Sequence, residues 1–189
     1  MPGLLHVAQL ATLLRVISPT DIYVLAGALA ENGEPTLRDL ARELHVDHTL
    51  VHRALARAQE AGLYRKESKE VNRPNFEELL AHAARFIAPA QLGPLTRGMP
   101  AAWAAEPISK VIRQSGDEPP PVWPDARGSV RGQELKPLHP AASQASEDNP
   151  ELAGLLAIID SLRAGDLRTR QVAADELRKV LRATTRGVG

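Results

Sequence analysis

No cysteine occurs among the 189 residues of the chain. Disulfides, thiolate metal sites and cysteine nucleophiles are thereby excluded. Aromatic residues are scarce, at 3%. A core must be built mostly from Leu, Ala, Val and Ile, and richness in Ala and Leu favours helix over sheet. No apolar run approaches the ~18 residues of a membrane span, so no membrane partner is expected. The opening MPGLLHVAQLATLL has no basic start. It is not read as a signal peptide, and a cytoplasmic location is expected. Net charge is also missing, since Lys+Arg and Asp+Glu number 23 each. A nucleic-acid function must then rest on local charge.

What is present suffices for a folded protein. Apolar residues make up 43% and charged residues 24%, which argues against wholesale disorder. The length suits one domain, or a small domain with a helical appendage. Proline divides the chain: 11 of the 15 fall between Pro89 and Pro150. Three regions are expected, a helical domain over 1–88, a Pro-rich strap or linker over 89–149 and a helical hairpin over 150–183. There is no internal repeat.

Helices are signalled by spacing and caps. Leu4, Val7, Leu10, Leu13 and Leu14 predict a first helix over Leu4–Val16. Ser18-Pro19-Thr20-Asp21 combines an N-cap serine, proline at the first helical position and an acid three residues after the cap. Ile22, Leu25, Ala26 and Leu29 continue that helix to the Asn32-Gly33 stop. Thr36 with Asp39 opens a third helix over Leu37–Leu44. After the turn His45-Val46-Asp47, Asp47 caps a fourth over His48–Ala61, and Gly62 stops it. Residues 63–73 suit a short hairpin, closed by Pro74. Asn75 is expected to cap a fifth helix over Phe76–Ile87, with Phe76, Leu79, Leu80, Ala83 and Phe86 or Ile87 inward.

The strap is expected to lie ordered and extended over the core. Trp103 and Trp123 are read as its anchors, with ligand stacking as the alternative. Ile108–Gln114 has room for one or two helical turns, and Ser143–Asp148 is expected to be the most mobile part. Asn149-Pro150-Glu151 is a further cap. Leu152, Leu155, Leu156, Ile159 and Leu162 form a helical stripe ended by Gly165. Asp166 caps the last helix, with Leu167, Val172, Leu177, Val180 and Leu181 apolar, so these two make a helical hairpin.

The segment Thr36–Tyr64 carries the functional signal. Helix, three-residue turn, helix, then Gly-Leu and a basic hairpin is the layout of a winged helix-turn-helix. Val51, Ala54, Leu55 and Ala58 supply one face for docking the second helix on its neighbours. A cationic and short polar face opposite suits a major groove. His48, Thr49 and His52 are placed to reach base edges, and Leu50 to touch a thymine methyl. Arg53 suits guanine or phosphate, and Arg57 phosphate. Thr36 and Arg38, at a helix start, are candidates for the DNA backbone. The wing offers Arg65, Lys66, Lys69 and Arg73. Residues 48–74 hold six Arg/Lys against three Glu, while residues 1–75 have nine of each sign. Steering per protomer is weak, and a homodimer on double-stranded DNA is the natural remedy.

The stretch of about residues 18–75 resembles the bacterial MarR-like winged helix-turn-helix transcriptional regulators. Leu37, Leu40, Ala41, Leu44, Val46, Val51, Arg53, Ala54, Leu55, Glu60, Ala61, Gly62 and Leu63 carry the resemblance. His45 departs from it, standing where many such turns have Gly. Ala58 replaces the larger apolar residue usual there. The resemblance implies a sequence-specific DNA-binding regulator acting as a homodimer. The alternative is a protein-binding winged-helix adaptor or antitoxin-like partner with little or no DNA binding.

Other chemistries find little support. His48 and His52 stand at i, i+4 near His45, but no Glu follows His48 in the zinc-protease manner, so no metal site is expected. His6, His82 and His139 are read as structural or solvated. There is no Gly-rich phosphate loop, nucleophile elbow or convincing carboxylate pair, so neither catalysis nor a cofactor is expected. Arg163, Arg168, Arg170, Arg178 and Arg182 read as a solvated helix face. The Leu4–Val16 stripe and the C-terminal pair are candidates for the dimer interface, or for packing on each other. The fold class expected is mainly α: a winged helix-turn-helix with a short β-hairpin wing, a Pro-rich extended strap and a C-terminal helical hairpin.

Overall fold

The computed structural model describes residues 17–31, 35–112 and 118–183. The expected first helix Leu4–Val16 and the Asn32-Gly33 stop lie outside these residues. The winged-helix part comprises α1 (Pro19–Ala30), α2 (Leu37–Glu43), α3 (His48–Glu60), β1 (Tyr64–Arg65), β2 (Glu70–Val71) and α4 (Arg73–Ile87). Then follow β3 (Leu92–Pro100), two 3₁₀ turns (Ala102–Ala104 and Ile108–Lys110), β4 (Pro121–Pro124) and β5 (Val130–Leu135). Helices α5 (Ala142–Asp148), α6 (Pro150–Ala164) and α7 (Leu167–Ala183) complete the described chain. The architecture is mainly α.

Local chemistry accounts for the helix starts. Ser18 and Asp21 form a reciprocal capping box, as do Thr36 and Asp39. Asp47 and Asn149 each accept a backbone N–H at the start of their helices, and Asp166 accepts from Thr169 N at 2.7 Å. Helix α4 begins earlier than the expected Asn75 cap. Asn72 is its N-cap, and Pro74 occupies the first turn, where a missing N–H costs nothing. The side chains of Asn72 and Asn75 instead both donate to Gly62 O, at 2.9 Å each. Gly62 has φ +72° and ends α3. Of the two candidates at the end of α4, Phe86 is exposed and Ile87 packs inward.

One apolar core runs through all three regions. Ile22, Leu25, Leu44, Val51 and Phe76 from the winged helix join Ile108 and Trp123 from the Pro-rich stretch and Leu156, Ile159 and Leu177 from the C-terminal pair. The stripe of α6 is spent inside the protomer, and so are Leu177 and Leu181 of α7, whereas Leu167 is exposed. Tyr23 is fully buried and donates to Leu44 O at 3.0 Å. Its ring stacks on His139 at 5.1 Å.

The Pro-rich stretch carries more regular structure than an extended strap. β3 pairs antiparallel with β4 (Met99↔Trp123) and with β5 (Thr96↔Gly132). β4 pairs parallel with β5 (Val122↔Glu134), so three strands close on themselves. Glycine makes this closure possible: a Cβ on Gly98 would collide with the Trp123 carbonyl, and one on Gly132 with the Pro120 carbonyl. The segment Ser143–Asp148, expected to be mobile, lies in helix α5. Ala142 and Ala145 bury one face of that helix in the core.

Trp123 does anchor this unit. Its Nε1 donates to Asp160 Oδ2 of α6 at 2.6 Å. Asp160 Oδ1 accepts from Arg163 at 2.8 Å, and Arg163 also donates to Ala88 O at 3.0 Å and Lys136 O at 2.8 Å. Arg163 is therefore buried and structural, which corrects its reading as part of a solvated face. The i, i+3 spacing with Asp160 was the signal for it. Arg170 bonds Gly165 O at 2.7 Å, and Arg178 pairs with Glu77 and Asp175.

Candidate nucleic-acid interface

Helix α3 is placed by its apolar side. Val51, Ala54, Leu55 and Ala58 are buried against α1 and α2. Ala58 is fully buried, so the small residue fits a close approach rather than leaving the helix end loose. The turn before α3 bends at His45, whose φ is +51°. This is the left-handed conformation that glycine adopts most cheaply. His45 Nε2 lies 2.9 Å from Asp148 Oδ2 at the end of α5. The histidine thus gives the turn a tether that glycine could not.

The opposite face of α3 presents His48, Thr49, His52 and Arg53 to solvent. The four side chains expected at base edges or phosphate thus share one exposed surface. Leu50 is half-buried and packs against the core, so little of it is left to reach a thymine methyl. Asp47 lies beside this face, its Oδ2 3.8 Å from His48 Nδ1. Hydrogen bonds from Thr49 hold the Asp47 carboxyl below its ordinary range.

Arg57 is committed elsewhere. Its Nε donates to Asp21 Oδ2 at 3.0 Å, and its terminal nitrogen donates to Oδ1 of the same carboxylate. Asp21 is fully buried at the start of α1, where Ser18 N and Oγ also donate to it at 2.8 Å. The hydrogen bond from Arg57 to Asp21 pushes the guanidinium pKa up. The expected phosphate contact is replaced by a clasp between α1 and α3. Asp21 was legible as a cap, but its second task across 36 positions was not.

The wing is a two-stranded hairpin pairing Tyr64 with Val71 and Arg65 with Glu70. Arg65, Lys66 and Lys69 are exposed on it. Lys69 turns the chain at φ +53°. Arg73 departs from the wing: it begins α4, is half-buried and donates to Leu181 O at 2.9 Å. It ties the winged helix to the last helix instead of lining the outer surface. At the start of α2, Arg38 is exposed. The Thr36 hydroxyl donates to Asp39 Oδ2 at 2.7 Å, so the helix N-terminus is already capped by the chain's own carboxylate. A concavity of about 380 Å³ separates α3 from the wing, with His52, Gln59, Tyr64, Lys66 and Lys69 on its walls.

Among the described residues, no group of three or more His, Cys, Asp or Glu is placed to hold a metal ion. No described helix is long and apolar enough to cross a membrane.

A buried three-helix head, a second helix with an exposed polar face and a basic hairpin beside it define a winged helix-turn-helix. Residues 17–73 match the model of the MarR family, whose members are transcriptional regulators, not enzymes. No curated protein and no solved structure matches the chain.

Proposed function

We propose that this protein is a sequence-specific DNA-binding transcriptional regulator that acts as a homodimer. The observation that carries the reading is the exposed face of α3, where His48, Thr49, His52 and Arg53 stand together on the side opposite the buried one. That helix enters the major groove, with these side chains at base edges. Arg65, Lys66 and Lys69 of the wing, with Arg38, hold phosphates and set the register. Leu50, Arg57 and Arg73 serve the fold. The described residues up to 88 form the reading head, and the described residues of 89–149 and 150–183 form the body on which it sits.

The small cationic surplus of residues 48–74, six Arg/Lys against three Glu, supports pairing of two protomers on one site, because each phosphate contact adds to affinity through counterion release. The test is fluorescence anisotropy on the intergenic DNA upstream of the protein's own gene, over a salt series, with scrambled DNA as control. Sequence-selective binding that weakens steeply with salt, at two chains per site, is expected. Absence of binding to either DNA at low salt would transfer the reading to a protein-docking adaptor, which should then co-purify with a neighbouring protein.

A further inference from the structure

Two arginines face each other on the strand unit. Arg97 of β3 stands directly opposite Arg131 of β5 in the antiparallel ladder, and both are exposed. Like charges opposite one another on neighbouring strands repel, so this pairing works against the sheet. Neither guanidinium has an ion-pair or hydrogen-bond partner among the described residues. Their neighbour Arg127 differs, being paired with Asp125 and Glu147. The two free arginines open on a concavity of about 540 Å³, inside the ~300–1,000 Å³ range of small-molecule sites. Leu95, Thr96 and Ser129 line it with them. The lining thus holds two guanidiniums, two hydroxyls and one aliphatic side chain, and no carboxylate.

The chemistry of the lining selects the occupant. A guanidinium is a planar fork that takes an oxyanion with two parallel hydrogen bonds. Side chains directly opposite on paired strands start only ~5 Å apart, so two forks can converge on one phosphate. Their two positive charges match the dianion of a phosphate monoester. The Thr96 hydroxyl is held only by a long bond to Arg97 O, at 3.5 Å. Leu95 is 51% exposed and offers an apolar rest for the ester's organic part. A long polyanion fits less well. The line of contacts from the strand unit to the turn before α3 runs through two carboxylates, with Arg127 on Glu147 at 3.1 Å and His45 on Asp148 at 2.9 Å. A duplex lying across both surfaces would meet these acids.

We propose that the concavity between β3 and β5 binds a small phosphate monoester, its phosphate held between Arg97 and Arg131 and its organic part against Leu95. The site lies outside residues 17–73 and does not depend on DNA binding by α3.

The test is calorimetric titration of the full chain with phenyl phosphate at pH 8, where it is a dianion. Saturable binding of one molecule per chain is expected. Arg97→Ala and Arg131→Ala should each weaken it by about tenfold or more, the loss of a charge-assisted pair of hydrogen bonds. Lys66→Ala, on the wing, should bind it as wild type does. Removing one of two like charges should leave the urea midpoint of Arg97→Ala at or above that of wild type, so lost binding is not lost fold. Scrambled DNA should bind wild type and Arg97→Ala equally. No saturable binding of phenyl phosphate, or equal affinity in wild type and both arginine variants, would overturn the proposal. So would a lowered midpoint, which would make the pair part of the fold, or a matching loss on scrambled DNA, which would make the nucleic-acid backbone the source of the phosphate.

Discussion

Arg53 and Arg57 lie four positions apart on one helix, and the structure gives them opposite surroundings. Arg53 is exposed on the polar face of α3. Arg57 closes a buried carboxylate at the start of α1. Arg57→Ala would leave Asp21 without its cation in a fully buried place. Breaking such a pair costs several kcal/mol, and because Ser18 still donates to the carboxylate, about 3 kcal/mol is expected here. Urea unfolding checks this. Arg53→Ala should leave the unfolding midpoint nearly unchanged. It should weaken binding to a confirmed operator by about 1–3 kcal/mol if its guanidinium pairs with a base. Equal operator affinity for Arg53→Ala and wild type would remove Arg53 from the interface.

Elements show which parts of the fold were legible. The caps at Ser18, Thr36, Asp47, Asn149 and Asp166 act over two or three positions, and local spacing revealed each of them. The Gly62 stop was equally local. At φ +72° an alanine is strained, so Gly62→Ala should cost about 1–2 kcal/mol, visible as a lower urea midpoint. Burial also followed periodicity, as in Val51, Ala54, Leu55 and Ala58. The three closed strands were not legible. Prolines at 94, 100, 121 and 124 interrupt any alternation, and the pairings of β3 join residues from 22 positions apart (Pro100 with Val122) to 43 (Leu92 with Leu135). Within the candidate site, exposure of the α3 face could be foreseen. The withdrawal of Arg57 and Arg73 could not, because their partners Asp21 and Leu181 are remote in the chain. The wing makes its own prediction. Lys66 is exposed on a phosphate-facing hairpin in the proposed reading. Lys66→Ala should lower affinity for operator and scrambled DNA alike and reduce the salt slope by about one.

At the scale of the whole molecule, one buried polar cluster joins the three regions. Trp123 comes from the strand unit, Asp160 and Arg163 from the C-terminal pair, and Ala88 from the end of the winged helix. Both Asp160 oxygens face donors, the arrangement of a carboxylate rather than a carboxylic acid. Burial pushes the Asp160 pKa up to about 6, while Arg163 and the Trp123 hydrogen bond pull it down. The sign of the effect on stability follows from comparison with the unfolded chain, where the carboxyl titrates near ~4. Between these two values the folded state holds more protons than the unfolded state. Stability from this group is therefore full below about pH 4 and is lost as pH rises through about 6. Asp160→Asn removes that titration. Its urea-unfolding stability, measured from pH 4 to 8 beside wild type, isolates the group by difference. The wild-type contribution should fall between about pH 4 and 6 and stay level above. A difference that instead rose over this window would mean that the hydrogen bonds from Arg163 and Trp123 outweigh burial, and that the cluster holds the three regions together by charge more than by shape.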